Sequence, residues 1–285
     1  MAERRESIAD RVSAPVWQHA LRLGASFPNL SCSSTHGSIP STHLDFGASW
    51  VVLVTQPTRR NAVSTTELAE LERLKPHFDD RGCKLYVLTC ASVRQNKDWL
   101  ADVVAATGYA VSFPLLCDDD FEIAGILGLV PSDFEDDADG LDDSLRTLYI
   151  IAPDKKIRMM QTYPCCTGFS SFEILRCLDS LIRAKVGLMT PANWVQGRDT
   201  FLQPDIETAD AAGRFPRGLR SVELPSGLDY LRITPDPLQS QAGRRDSETP
   251  PAYAQAPQTA PTANAAAAYA LVGAPAPAEA ADAPA

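Results

Sequence analysis

Ser64 stands where a predicted strand turns into a helix, a place at which a hydroxyl could act as a nucleophile. The apolar run from Val51 to Gln56 predicts a buried strand that ends at Pro57, and a helix opens from Ser64. A serine nucleophile needs a base that takes its proton, and no histidine can be assigned to this one. The pattern Ser64-x-x-Glu67 is typical of a capping box, which stabilises a helix by about 1 kcal/mol. We therefore predict that Ser64 caps the helix.

Seven cysteines offer thiol chemistry, but they form no familiar framework. They are Cys32, Cys83, Cys90, Cys117, Cys165, Cys166 and Cys177. Their number is odd, no Cys-x-x-Cys pair occurs, and most are flanked by apolar residues, which predicts reduced thiols in the cytosol. Cys90 in particular has the pattern of a small core residue. The adjacent pair Cys165–Cys166 leaves a redox role open.

Metal sites are not indicated by the sequence. The four histidines lack the spacing of zinc ligands. The acidic loop at residues 135–140 resembles a calcium loop only superficially, because its twelfth position is Arg146 where a bidentate glutamate is needed. We expect neither a metal nor a bound cofactor.

Composition excludes several classes of partner. The chain has 285 residues and a net charge of −10, which disfavours nucleic acids and anionic membranes as binding partners. No apolar segment is long enough to span a bilayer, so we expect no stable membrane insertion. The first eleven residues lack the apolar run of a secretory signal, and their acidic residues argue against a mitochondrial presequence. We expect a cytoplasmic protein.

Strand-like and helix-like patterns alternate between Leu21 and Ala184, which predicts an α/β layer fold. The strand candidates are Trp50–Gln56, Lys84–Thr89, Leu145–Ile151 and Ile157–Tyr163, the last two joined by a hairpin turn at Pro153–Lys156. The helix candidates begin at Ser64 or span Ser92–Thr107, Ser170–Arg183 and Pro204–Phe215. Residues 239–285 are rich in alanine and proline, which predicts a disordered tail.

Several motifs in the same order resemble those of the peroxiredoxins of the AhpC/TSA type, and of the one-cysteine subfamily in particular. They include Leu23-Gly24-x-x-Phe27-Pro28-Asn29, Phe113-Pro114-Leu115-Leu116, Tyr163-Pro164-x-x-Thr167-Gly168, Thr190-Pro191-x-x-Trp194 and Glu223-Leu224-Pro225-Ser226-Gly227. The resemblance implies a thioredoxin-like fold, with a central mixed sheet flanked by helices, a C-terminal extension and homodimerisation. It divides the chain into an N-terminal extension (1–20), a thioredoxin-like domain (21–184), a C-terminal domain (185–238) and the tail (239–285).

The resemblance also implies which residues surround the reaction. The family motif Pro-x-x-x-Thr-x-x-Cys, aligned on Pro57, puts Asn61 in the threonine position and Ser64 in the position of the peroxide-reducing cysteine. Arg146 matches the family's active-site arginine. Gln56 stands where the subfamily has histidine, and Phe169 where a second arginine is expected.

Loss of the cysteine bears directly on activity. Peroxide reduction needs a thiolate that is oxidised to a sulfenic acid, and a serine hydroxyl neither ionises at neutral pH nor enters that oxidation sequence. We therefore predict lost or weakened hydroperoxide reduction, and a dimeric binding or regulatory role in redox homeostasis with a protein partner for the tail. The alternative is residual thiol peroxidase activity through Cys165 or Cys166.

A second activity is implied by the same resemblance. Some one-cysteine peroxiredoxins have a phospholipase A2-like activity attributed to a His, Ser and Asp constellation, whose positions fall here on His43, Ser49 and Asp154. A serine hydrolase needs a base for the serine and a carboxylate that orients the base. Each residue also has a structural explanation: a surface loop, a strand start and a hairpin turn, respectively.

Overall fold

The computed structural model describes residues 21–56, 60–129 and 146–238. Pro57, the acidic loop, the N-terminal extension and the alanine- and proline-rich tail lie outside the described residues. By internal contacts the chain divides between Ser171 and Phe172 into two compact units, each considered by itself below. This division groups the helix that begins at Ser171 with the C-terminal segment, whereas the sequence places it in the first domain.

A seven-stranded mixed sheet forms the first unit. Its strands are β1 (Cys32–Ser34), β2 (Gly37–Ile39), β3 (Trp50–Gln56), β4 (Cys83–Thr89), β5 (Leu115–Cys117), β6 (Thr147–Ile151) and β7 (Ile157–Thr162). Their order across the sheet is β2-β1-β5-β4-β3-β6-β7. The pairs β3–β4 and β4–β5 are parallel, and the other neighbours are antiparallel. All seven residues of β3 are buried, as its unbroken apolar run predicts for a central strand.

Helices connect and flank the strands of the first unit. They are α1 (Thr42–Phe46), α2 (Ala62–Asp79), α3 (Val93–Thr107) and α4 (Glu122–Ile126). The face that α2 buries includes Leu68, Leu71, Leu74 and Phe78, which recur at helical spacing. The described parts of the chain contain no helix with both the length and the apolar character needed to cross a bilayer.

The hairpin predicted between the last two strands of this sheet is confirmed. Ala152 donates its backbone N–H to the carbonyl of Lys156 at 2.9 Å, and Lys155 donates its backbone N–H to the carbonyl of Ala152 at 2.8 Å. Lys155 takes a positive φ of 65°, which a tight turn between antiparallel strands requires.

A smaller sheet organises the second unit. Its elements are α5 (Ser171–Ala184), β8 (Leu188–Met189), β9 (Thr200–Leu202), α6 (Thr208–Arg214), β10 (Arg220–Ser221) and β11 (Arg232–Thr234). The strands are ordered β10-β11-β9-β8. The buried guanidinium of Arg183 on α5 is 2.6 Å from Asp236 and 3.6 Å from Asp179, and it lies over the ring of Trp194. The ion pair between Arg183 and Asp236 holds the segment after β11 against α5.

Asp118 is a buried carboxylic acid at the entrance to α4. It accepts the backbone N–H groups of Ile123 at 2.9 Å and Ala124 at 2.7 Å, and it is only 2% exposed. Burial raises the pKa of Asp118 to about 7, and the neighbouring carboxyl of Asp120 adds to the shift. The folded state therefore holds this proton more tightly than the unfolded chain does.

This shift predicts a pH dependence of stability. The contribution of Asp118 is fully present below pH 4 and is lost as the pH rises through about 7, since the unfolded chain ionises first. Urea unfolding measures how much the free energy of unfolding of the native chain exceeds that of Asp118→Asn. We expect this difference to be at least about 1 kcal/mol larger at pH 4.5 than at pH 7.5. A difference that grows with pH would contradict this assignment.

Candidate active site

Four buried polar side chains meet at the N-terminal end of α2. Gln56 ends β3, Ser64 and Glu67 lie on α2, and Arg146 immediately precedes β6. Their exposed fractions are 1%, 0%, 3% and 3%, respectively. We call Gln56, Ser64, Glu67 and Arg146 the buried polar cluster.

Sheet register and helix periodicity bring these residues together. In the antiparallel pair of β3 and β6, Val54 lies opposite Leu148. Two further steps along each strand bring Gln56 opposite Arg146. Ser64 and Glu67 are three residues apart on α2, so they share one face of the helix. The cluster is therefore a consequence of how one strand, one helix and the next strand in the sheet are connected.

An ion pair forms the centre of the cluster. Arg146 Nη2 is 2.6 Å from Glu67 Oε1, and Gln56 Nε2 donates to Glu67 Oε2 at 2.8 Å. Ser64 Oγ donates to Gln56 Oε1 at 2.5 Å, and Arg146 Nη1 donates to Ser64 Oγ at 3.2 Å and to Gln56 Oε1 at 3.3 Å. Arg146 Nε is left without a hydrogen-bond partner. The Arg146 guanidinium is thus already paired with a carboxylate from the same cluster.

The prediction that Ser64 caps α2 is wrong. The N-cap is Asn61, whose side-chain Oδ1 accepts the backbone N–H of Ser64 at 2.7 Å. Because the helix begins at Ala62, Ser64 lies inside the first turn and its hydroxyl points to Gln56. Glu67 binds Arg146 and Gln56 and does not complete a capping box. Asparagine is as good an N-cap as serine, which explains why the helix can begin earlier than the serine indicates.

The cap at Asn61 gives a modest prediction for stability. Asn61→Ala leaves the N–H of Ser64 without its acceptor, so we expect the free energy of unfolding to fall by about 1 kcal/mol. Asn61→Ser keeps an acceptor and should lose less than half of that amount. Chemical denaturation of the two variants checks this, and equal losses would show that the acceptor is irrelevant.

A loop at residues 163–169 closes over the cluster. Arg146 Nη2 donates to the carbonyl of Thr167 at 2.9 Å, and the backbone N–H of Phe169 donates to Glu67 Oε1 at 2.9 Å. The N–H of Tyr163 also donates to the carbonyl of Arg146 at 2.9 Å. Phe169, where the resemblance leads one to expect an arginine, thus contributes its backbone to the site.

Comparison with known proteins identifies the family. The AhpC/TSA family profile matches residues 23–160. The 1-Cys peroxiredoxin A of Oryza sativa subsp. japonica is 37% identical over 216 residues, which cover 75% of this chain and 97% of that protein. Peroxiredoxin-6 of Gallus gallus is 36% identical over 222 residues, 76% of this chain and 98% of that protein. The chain belongs to the AhpC/TSA family of peroxiredoxins.

Solved structures of one-cysteine peroxiredoxins share the fold of this peroxiredoxin. The yeast mitochondrial 1-Cys peroxiredoxin has a TM-score of 0.69 at 31% identity, covering 76% of this chain and 100% of the other. A cysteine-to-serine mutant of the peroxiredoxin 6 of Arenicola marina has a TM-score of 0.69 at 35% identity, covering 77% and 100%. The predicted thioredoxin-like α/β fold is confirmed.

Glu67, which the sequence indicated only as the second member of a capping box, is a site residue of this peroxiredoxin. It contacts Arg146, Gln56 and the N–H of Phe169, and so holds three separate segments. Its position three residues after Ser64, on the helix face that carries the apolar residues, is the sequence signal that could have revealed it. An acid on a buried helix face needs a cation, and Arg146 was already a candidate.

The three residues of the hydrolase hypothesis, all within the described part of the chain, have separate hydrogen-bond partners or none in common. His43 does not lie in a surface loop as expected but on α1, and its Nε2 is 2.6 Å from the carbonyl of Phe27. Asp154 pairs with Arg158 at 2.6 Å. Ser49 is half-buried and immediately precedes β3. In the described part of this peroxiredoxin, no hydrogen bond connects any two of His43, Ser49 and Asp154.

Among residues 21–56, 60–129 and 146–238, no group of three or more histidine, cysteine, aspartate or glutamate side chains could hold a metal ion. Within the buried polar cluster, the Glu67 carboxylate and the Arg146 guanidinium pair with each other.

Proposed function

We propose that the protein is a one-cysteine-type peroxiredoxin with lost or greatly weakened hydroperoxide reduction, which acts as a dimeric binding or regulatory protein in redox homeostasis. The observation that carries this proposal is the hydrogen bond from Ser64 Oγ to Gln56 Oε1. It indicates a site arranged around a protonated hydroxyl at the position that the family resemblance assigns to the reactive cysteine.

The orientation of the Gln56 amide follows from its partners. Glu67 is a carboxylate paired with Arg146, so it only accepts hydrogen bonds, and the amide must turn its Nε2 donor towards it. The amide oxygen then necessarily faces residue 64. An acceptor in that place stabilises a neighbour that carries a proton and destabilises an anion.

The positive charge of Arg146 is likewise already paired, in this case with Glu67. In a peroxide-reducing site, a cation close to the cysteine lowers the thiol pKa and produces the nucleophile. Here Arg146 Nη1 approaches Ser64 Oγ at 3.2 Å, but Nη2 forms a 2.6 Å ion pair with Glu67. Even if the cation were unpaired, the alkoxide of a serine would be negligible at neutral pH, and oxygen cannot follow the sulfur oxidation sequence.

Homodimerisation is part of the proposal. β7 is an edge strand of the seven-stranded sheet, and an edge strand presents backbone groups that can pair with the same strand of a second copy. Sedimentation equilibrium of the full chain should give twice the chain mass of 30.8 kDa. A single-chain mass at micromolar concentration would remove this part of the proposal.

Peroxide consumption with dithiothreitol as the reductant tests the loss of activity. We expect no catalytic consumption by the native chain and measurable consumption by the double variant Ser64→Cys/Gln56→His, which restores a sulfur and replaces the acceptor with a group that can donate. Rapid turnover by the native chain, abolished by Cys165→Ser or Cys166→Ser, would establish the residual thiol peroxidase instead. Fatty-acid release from phospholipid vesicles that Ser49→Ala abolishes would establish the hydrolase.

A further inference from the structure

Cys165 and Cys166 occupy the two central positions of a tight turn beside the buried polar cluster. The backbone N–H of Thr167 donates to the carbonyl of Pro164 at 3.0 Å, which closes the turn around the two cysteines. Cys166 is exposed and Cys165 is half-buried. The residue that closes the turn, Thr167, gives its own carbonyl to Arg146 of the cluster.

The other thiols are poorly placed for exchange with a dissolved disulfide. All seven cysteines lie within the described residues, and Cys83, Cys90 and Cys117 are buried. Burial raises the pKa of Cys83 to about 12, and that of Cys32 to about 11. Burial likewise raises the pKa of Cys177 to about 11, with a hydrogen bond to Glu173 adding to the effect. The thiolate is the species that attacks a disulfide, so these groups react slowly.

We propose that the Cys165–Cys166 turn is a thiol–disulfide exchange site for low-molecular-weight disulfides, and that its oxidation releases the 163–169 loop from the buried polar cluster. The class of reactant is a small soluble disulfide. This inference does not depend on whether Ser64 has lost a peroxidase role, because it uses neither peroxide nor residue 64.

The exchange proceeds in two balanced steps. The thiolate of Cys166 attacks one sulfur of the small disulfide, forms a mixed disulfide and expels one thiolate. The Cys165 thiol then gives up its proton, and its thiolate attacks the Cys166 sulfur, which forms a bond between the two protein sulfurs, breaks the mixed disulfide and expels the second small thiolate. Two protein thiols are oxidised, one small disulfide is reduced to two thiols, and the protons of the protein thiols pass to the two leaving groups.

Geometry makes the product a labile disulfide. The Cα atoms of adjacent residues are about 3.8 Å apart across a trans peptide. Disulfides normally span about 4.4–6.8 Å between Cα atoms. A disulfide between adjacent residues therefore closes a strained ring and is easily reduced. Strained, accessible disulfides are the regulatory kind. The strain is expected to distort the turn and to break the bond from the Thr167 N–H to the Pro164 carbonyl.

The distortion is transmitted through two backbone contacts. The Thr167 carbonyl is held by Arg146, and the Phe169 N–H is held by Glu67. Both lie within three residues of Cys166, so a rearranged turn pulls on them directly. Release of the loop would expose the cluster only in the oxidised form.

Glutathione disulfide is the probe for the experiment on the full chain. After incubation and alkylation of the remaining thiols, peptide mass spectrometry should show the Cys165–Cys166 peptide lacking two hydrogen atoms, with the other five cysteines alkylated. Cys165→Ser should stop at a glutathione adduct on Cys166, and Cys166→Ser should prevent modification of this peptide. Cys177→Ser is the matched control and should leave the result unchanged.

Hydrogen exchange distinguishes oxidation that releases the 163–169 loop from oxidation that leaves the loop in place. The backbone N–H of Phe169 should exchange at least tenfold faster in the oxidised chain and return to its original rate after mild reduction. A stable glutathione adduct in the native chain, oxidation at another cysteine, or unchanged exchange at Phe169 after ring closure would each overturn the proposal.

Discussion

Arg146→Met is expected to lower the free energy of unfolding by about 3–5 kcal/mol. The substitution leaves the Glu67 carboxylate buried, with 4% of its side chain exposed, and without the cation that lies 2.6 Å away. It also removes the donor to the Thr167 carbonyl, so the 163–169 loop loses the contact that the Arg146 side chain makes with it. Urea unfolding at neutral pH measures the loss.

Arg158→Met is the matched control for this prediction. Arg158 forms an ion pair of the same length, 2.6 Å, with Asp154, but the two side chains are 41% and 49% exposed. Water screens such a pair, so we expect a loss below about 1 kcal/mol. Similar losses for the two variants would show that Arg146 and Glu67 do not depend on each other as a buried pair.

Ser64→Cys is expected to produce a thiol that stays protonated at neutral pH, with a pKa no lower than about 8.5. The Gln56 amide oxygen faces residue 64 and accepts its proton, while Arg146 is engaged by Glu67. Adding Gln56→His replaces the obligatory acceptor with a side chain that can donate. We expect this second change to lower the thiol pKa by at least one unit, about 1.4 kcal/mol in favour of the thiolate.

The pH dependence of alkylation at residue 64, resolved by peptide mass spectrometry, measures both thiol pKa values. Gln56→His in the serine background is the control for effects on folding. A thiolate at neutral pH in Ser64→Cys alone would contradict the role given to Gln56. It would then follow that the missing sulfur is the whole reason for lost activity.

The sequence predicts four of the seven strands in the sheet that carries the site, namely β3, β4, β6 and β7. The apolar run gives β3 its observed bounds of Trp50–Gln56, and β4, β7 and α3 are predicted within one residue at each end. These elements are long or strongly apolar, so their own residues determine them. β1, β2, β5, α1 and α4 were not predicted, because elements of three to five residues depend on partners far along the chain.

In the C-terminal unit, short elements were again poorly predicted from the sequence. The helix predicted at Pro204–Phe215 is the shorter α6, Thr208–Arg214, and the surrounding four-stranded sheet was not foreseen. β8 and β10 have two residues each, too few to show an alternating pattern. Long-range contacts such as that of Arg183 with Asp236 fix this segment instead.

Within the site, residue types were predictable and their hydrogen-bond directions were not. Ser64, Asn61 and Arg146 were candidates from the resemblance, but the cap was assigned to the wrong one. Either side chain is a good N-cap, so sequence alone does not decide between them. The direction of the Gln56 amide depends on Glu67, which only the packed structure brings to it.

The loss of peroxide reduction can be tested on the native chain by peptide mass spectrometry after seconds of exposure to an equimolar amount of hydrogen peroxide. We expect an unmodified peptide at Ser64 and no cysteine converted to sulfenic or sulfinic acid to a significant extent on that timescale. Stoichiometric oxidation of any one of the seven cysteines within seconds would contradict this expectation, because the chain would then possess a working peroxide-reducing thiol.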